Sequence, residues 1–136
     1  IWGIQWDVAC DFIANKGDQK NIKDSSAWGN YSNYNTANNY TEGTAGYEKN
    51  AGSPQNTGSS ENWKANNIYD LAGNCWEWTQ EAYNTFHRAN RGGGYNGSGS
   101  VGPASSRSSS IPDSDSISNL RFSSHFNNKV ALNARA

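Results

Sequence analysis

The sequence predicts an α+β domain, rich in loops, with a small twisted antiparallel sheet and a small aromatic core. Three observations predict it. The chain opens on an amphipathic helix pattern. Its centre holds an alternating Trp-Glu-Trp strand entered by a tight turn. Only 34% of its 136 residues are hydrophobic, and these lean towards Trp, Tyr and Phe amid Asn, Ser and Gly. A mean hydropathy of −0.92 points by itself to disorder. An aromatic content of 12% and a net charge of −1 argue instead for a packed fold with much backbone in turns. The length suits one domain with one modest core.

The same composition excludes several functions. A near-neutral charge gives no electrostatic footprint for nucleic acid. No apolar run approaches the roughly 20 residues that span a bilayer, so membrane insertion is not expected. Cys10 and Cys75 are too few for a disulfide framework or a zinc site. Two free, buried thiols are expected rather than one bridge.

A helix is expected over 1–16. Ile4, Val8 and Phe12 form one apolar set, and Trp6, Ala9, Cys10 and Ile13 a second, both at helical spacing. Gly17 is the stop signal, no capping residue opens the helix, and Trp2 and Trp6 are expected in the core. From Gly17 to Trp63 the chain is polar, a length of coil that needs stitching down. Trp28, Tyr31, Tyr34, Tyr40 and Tyr47 recur along it and are expected to pin it to the core. A binding loop uses Tyr, Asn and Ser as well.

Residues 67–95 are expected to hold the core turn and strands. Ala72-Gly73-Asn74 reads as a tight turn, since Gly and Asn tolerate positive φ. Beyond it, alternation puts Trp76 and Trp78 on one face of a strand and Glu77 on the other. The plain reading is a buried Trp pair with a solvated Glu; the sharper one is a carboxylate aimed at something specific. Asp70 and Glu77, with carbonyls between them, offer the hard oxygen donors that calcium prefers. Gln80 to Asn90 is expected to form a loop with Phe86 and His87 exposed. Arg91-Gly92-Gly93-Gly94 lacks the Lys-Ser/Thr of a phosphate loop, so close backbone approach accounts better for these glycines. The Ser/Gly-rich stretch to Ser118 reads as displayed loop (86–118 in all). Residues 119–126 alternate as a closing strand, and 127–136 read as a tail. No catalytic constellation of Ser/His/Asp or Cys/His type is visible.

The central segment Asn-Ile-Tyr-Asp-Leu-Ala-Gly-Asn-Cys-Trp-Glu-Trp-Thr (67–79), Arg91-Gly92-Gly93 with Tyr95, and Asn119-Leu120-Arg121 together resemble the formylglycine-generating-enzyme domain. Gly3 to Cys10 resembles that family's second helix, so the likeness spans about residues 1–126. It implies an elaborated C-type-lectin fold whose N-terminal strands and first helix precede this chain. It implies a structural calcium held by the side chains of Asp70 and Glu77 and the backbone carbonyls of Gly73 and Cys75. The family's enzymes bind copper through cysteines that follow the Arg-Gly-Gly segment, and no Cys follows Cys75 here.

The resemblance therefore points to a non-catalytic branch similar to the variable proteins of diversity-generating retroelements. In these, adenine-directed replacement turns Asn codons into a mixture of other residues. The mixed stretch from Phe86 to Ser118, set against Arg91-Gly92-Gly93, Pro103-Ala104-Ser105 and Arg107, fits that pattern. The implied role is display of a binding surface to a protein or glycan on a cell or virus, by a phage receptor-binding protein or surface adhesin. The implied location is a virion surface or a bacterial cell surface. The residues expected to touch the ligand are Phe86, His87, Asn90, Tyr95, Asn96, Ser106, Ser108, Asp113 and Asp115. An oxidase, or an oxidase remnant, of the enzyme family and a structural virion or surface module are the alternative expectations.

Overall fold

Helix α1 (Gly3–Asn15) forms where the spacing of apolar residues predicts it. The computed structural model describes residues 1–112 and 120–122. Of the two apolar sets, α1 buries the second: Gly3, Trp6, Cys10 and Ile13 face inward, and the Trp6 indole N–H donates to the Ala104 carbonyl at 2.8 Å. Ile4, Val8 and Phe12 stand exposed. Trp2 is also half exposed, which corrects the core placement expected for it. It is the residue before the first turn and lies outside the buried stripe. The start of the helix is closed by Gln5, whose side-chain oxygen accepts the Trp2 N–H at 2.9 Å. At the other end, the N–H groups of Lys16 and Gly17 both donate to the Phe12 carbonyl.

The polar coil that follows contains one short helix, α2 (Tyr34–Ala37). Trp28, Tyr31 and Tyr34 are buried, while Tyr40 and Tyr47 are half-buried. The anchoring expected of these five side chains is thus carried mainly by the first three. Next, β1 (Lys64–Ala65) and β2 (Ile68–Tyr69) make a two-stranded antiparallel sheet.

The larger sheet has four strands: β3 (Trp76–Ala82), β4 (Arg88–Arg91), β5 (Arg107–Ser110) and β6 (Leu120–Phe122). Their order is β5-β4-β3-β6. The first two pairings are antiparallel, but β6 runs parallel to β3. The sheet is therefore mixed rather than wholly antiparallel. Strand β5 lies inside the stretch expected to be loop. Its Arg-Ser-Ser-Ser sequence has little strand propensity of its own, and it forms because the open edge of β4 offers a ladder. The helices and the two sheets together make a loosely α+β domain.

The alternation expected on β3 is present, with its burial reversed. Glu77 and Thr79 are buried, and Trp76 and Trp78 are half-buried. The buried Trp pair with a solvated Glu is overturned. Glu77 lies directly opposite Arg91 across the β3–β4 ladder, and Arg91 pairs with Asp7 of α1. That face of the sheet looks towards the helix, so its polar residues are covered. The core itself collects Trp6, Cys10, Ile13, Trp28, Tyr31, Ala65, Leu71, Ala72 and Ala104, one or two from almost every segment. Both cysteines are free thiols; Cys10 is buried and Cys75 half-buried. Burial raises the Cys10 thiol to about 11, against a smaller opposing effect from Trp6. Among the described residues no helix is long and apolar enough to cross a membrane.

Candidate functional site

The central motif builds a frame. Gly73 and Asn74 have φ of +72° and +59°, as the turn requires. The turn is clamped from both sides: Asn30 N–H donates to Ala72, Asn74 N–H to Asn30, and Gly73 N–H to Gly92 at 2.7 Å. The Tyr31 hydroxyl donates to the same Gly92 carbonyl at 3.0 Å. A side chain on Gly92 would begin 2.9 Å from the Leu71 carbonyl and 3.0 Å from Trp6, at a φ of +91°. The glycines after Arg91 are there for close approach, as the sequence suggested. Arg91 is buried. Its burial lowers its proton affinity, and Arg107, its cross-strand neighbour, adds repulsion.

The expected ligand residues fall into two groups at opposite ends of β4. At one end, the β3–β4 hairpin tip displays Phe86, which is 74% exposed. Asn84 fixes this tip. Its side-chain oxygen accepts the N–H groups of Phe86 and His87, both at 2.9 Å, and lies 2.9 Å from His87 Nδ1. His87 itself is half-buried. At the other end, Tyr95 is half-buried and Asn96 exposed, and the Tyr95 N–H donates to Asn74. The four residues of β4 separate the groups by about 10 Å of strand. Ser106 is half-buried just before β5, and Ser108 is exposed on that edge strand.

Asn90 does not belong to a displayed surface. It is 3% exposed, because β4 is an interior strand paired on both sides. Its amide donates to Ser110 Oγ at 2.9 Å, and its side-chain oxygen has no partner among the described residues. Asp113 and Asp115 lie outside the described residues, as do 119, 123–126 and the tail at 127–136.

Sequence reasoning missed two members of the hairpin end. Tyr83 and Ile111 are 50% and 46% exposed. The Tyr83 N–H bonds back to His87, and the pairing of Arg88 with Ser110 brings Ile111 to the same end. The signal was a lone aromatic and a lone aliphatic residue in polar surroundings. The Arg107 guanidinium lies 4.9 Å from the Tyr83 ring centre, and its Nε donates to Glu81 at 2.7 Å. Tyr83, Phe86 and Ile111 thus stand exposed at one end of the sheet, with the Arg107 cation held over the Tyr83 ring.

The expected calcium ligands lie in the frame. Asp70 is 1% exposed, at a φ of +54°, and accepts the Gly58 N–H at 3.2 Å. Glu77 is 3% exposed on β3. Gly73 sits in the clamped turn, and Cys75 is half-buried between them. Among the described residues no three His, Cys, Asp or Glu side chains gather in a cation-binding group. Any ion held here would depend on main-chain carbonyls. No protein-family model matches this chain, and neither a curated protein nor a solved structure matches it.

Proposed function

We propose that this chain is a non-catalytic display domain of the C-type-lectin-like, formylglycine-generating-enzyme type, similar to the variable proteins of diversity-generating retroelements. Its partner would be a protein or glycan on a cell or virus surface. One observation carries the reading. Within 83–112, four residues of the family-like frame, Arg91, Gly92, Gly93 and Ala104, are buried, while Pro103 and Ser105 are half-buried and Arg107 is exposed. Of the expected ligand residues set against that frame, Phe86, Asn96 and Ser108 are exposed, His87, Tyr95 and Ser106 are half-buried, and Asn90 is buried. Replaceable side chains on a rigid frame are what a diversified binding surface needs. The hairpin end, with Phe86, His87, Tyr83 and Ile111, supplies the apolar anchors that dominate protein contacts. Tyr95 and Asn96 would form a second contact region.

Sequencing this gene across a natural population tests the reading without knowledge of the ligand. Variation should fall in codons for about residues 86–124, at exposed positions, and spare Asn90, Arg91 and the glycines. A uniform segment, or variation spread over the whole chain, would remove the reading.

A structural calcium belongs to the same proposal, held by the carboxylates of Asp70 and Glu77 and the carbonyls of Gly73 and Cys75. It is supported by the chemistry of the donor set, two buried carboxylates on either side of the Gly73 turn with main-chain carbonyls between them. Added calcium should raise the melting temperature and a chelator should lower it. No change with either would leave Arg91 as the counter-charge for Glu77.

A further inference from the structure

The coil and β1 together form a cleft of about 350 Å³ on a part of the molecule that uses no residue of the large sheet. The volume falls within the range of about 300–1,000 Å³ usual for small-molecule sites. Its lining includes Lys20, Tyr34, Asn38, Tyr40, Asn62 and the Glu61–Lys64 pair. Most of these polar groups are fixed by partners inside the protein. Glu61 is held by Lys64 and by the Tyr69 hydroxyl. The Asn38 amide group donates to the Tyr34 carbonyl at 2.8 Å, and that of Asn62 to Glu48 at 2.7 Å. Each amide therefore keeps a carbonyl oxygen as an oriented acceptor.

Tyr34 is the exception. Only 2% of this cleft-lining residue is exposed, and its hydroxyl has no hydrogen-bond partner among the described residues. Trp63 packs edge-on against it at 6.0 Å, and the buried Trp63 indole N–H also lacks a partner among the described residues. A hydroxyl that meets only cleft water can exchange that water for a ligand oxygen. Burial, followed by the charges of Glu48 and Tyr40, raises this hydroxyl to about 12, so it remains a donor at any physiological pH.

The charges of the cleft cancel: Asp18 and Glu61 contribute two negative charges, Lys20 and Lys64 two positive. A ligand of net charge gains nothing from such a lining. Two tyrosines, oriented amide acceptors and an unpaired hydroxyl donor suit a neutral ring that bears hydroxyl groups. We propose that this cleft is a second binding site, for a hexopyranose, either as free sugar or as the end of a glycan.

Amide-resolved NMR titration tests this with galactose, glucose and N-acetylglucosamine as probes, and with lactose beside galactose. At least one sugar should cause saturable shifts confined to residues 18–40 and 61–64. Lactose binding more tightly than galactose would mark a glycan end, and galactose alone a free sugar. Tyr34→Phe keeps the ring and its packing, and should weaken binding by about threefold to tenfold. Lys20→Ala, on the half-exposed rim, should keep the native spectrum and weaken binding as well. Absence of shifts with every sugar would overturn the proposal. So would binding unchanged in both variants, or a preference for sodium acetate or glycine betaine over the sugars. Because the display surface plays no part here, failure of either proposal leaves the other standing.

Discussion

The coil from 17 to 63 and the segment from 83 to 112 are both built largely of Asn, Ser, Gly, Thr and Tyr, yet they satisfy their backbones by different means. In the coil, local turns pair part of the backbone, and side chains tie its distant parts together. Asn30 accepts the Gly52 N–H at 3.0 Å and donates to Ser53 at 2.8 Å. Asn35 does the same for both backbone groups of Glu48, and Asn74 reaches in from the frame to hold both groups of Gln55. In the later segment, ladders between β3, β4 and β5 pair the backbone. Some side chains there, such as Phe86, Asn96 and Ser108, face outward. Polar composition thus marks two different conditions: amides consumed in holding the backbone, and side chains left in solvent. What separates them is whether a strand edge is within reach.

Removing an anchor should break the coil. Tyr31 is fully buried and ties the coil to Gly92 through its hydroxyl. Tyr31→Ala should cost about 3–5 kcal/mol, by analogy with other large aromatic truncations. Urea denaturation measures this directly. A loss below about 1 kcal/mol, the scale of an ordinary substitution, would mean that the coil is not held by its aromatics.

A smaller effect is expected from the stitching itself. Asn30→Ala leaves the Gly52 N–H and the Ser53 carbonyl without their partner. The cost should be about 1–3 kcal/mol, with faster hydrogen exchange at Gly52 in particular. Protection at Gly52 equal to that of the wild type would show that water or a neighbour replaces the amide with ease.

The difference between the two segments explains how much was legible in the sequence. Helix α1 was readable because its spacing repeats, although two apolar stripes competed and only packing chose Trp6, Cys10 and Ile13. The turn at Gly73 and Asn74 was readable because few residues adopt positive φ. The alternation of β3 was readable, but not which face would be buried. That depended on Arg91 and Asp7, which lie 84 residues apart, from 91 − 7, and meet only in the folded chain. Strand β5 was hidden for the same reason, since its order comes from the edge of β4. Phe86 was correctly expected to be exposed. Asn90 was misread because a polar residue four positions later looks the same in sequence, whether it lies on a loop or on an interior strand. The cleft around Tyr34 gave no signal, since it joins residues from three separate stretches.

The smallest stability effect belongs to the displayed end. The Phe86 ring is mostly in water, while the backbone of its turn is held by Asn84 rather than by the ring. Phe86→Ala should therefore change unfolding free energy by no more than about 0.5 kcal/mol. Tyr83→Ala removes in addition the stacking with Arg107, worth about 0.5–1 kcal/mol at an exposed site. Urea denaturation of the two variants beside Tyr31→Ala would place all three on one scale. If Phe86→Ala destabilises the domain as much as Tyr31→Ala, the ring is a structural anchor and cannot belong to a replaceable surface. If it leaves stability intact, the ring contributes nothing to folding, and its replacement by other residues costs the frame nothing, as a replaceable surface requires.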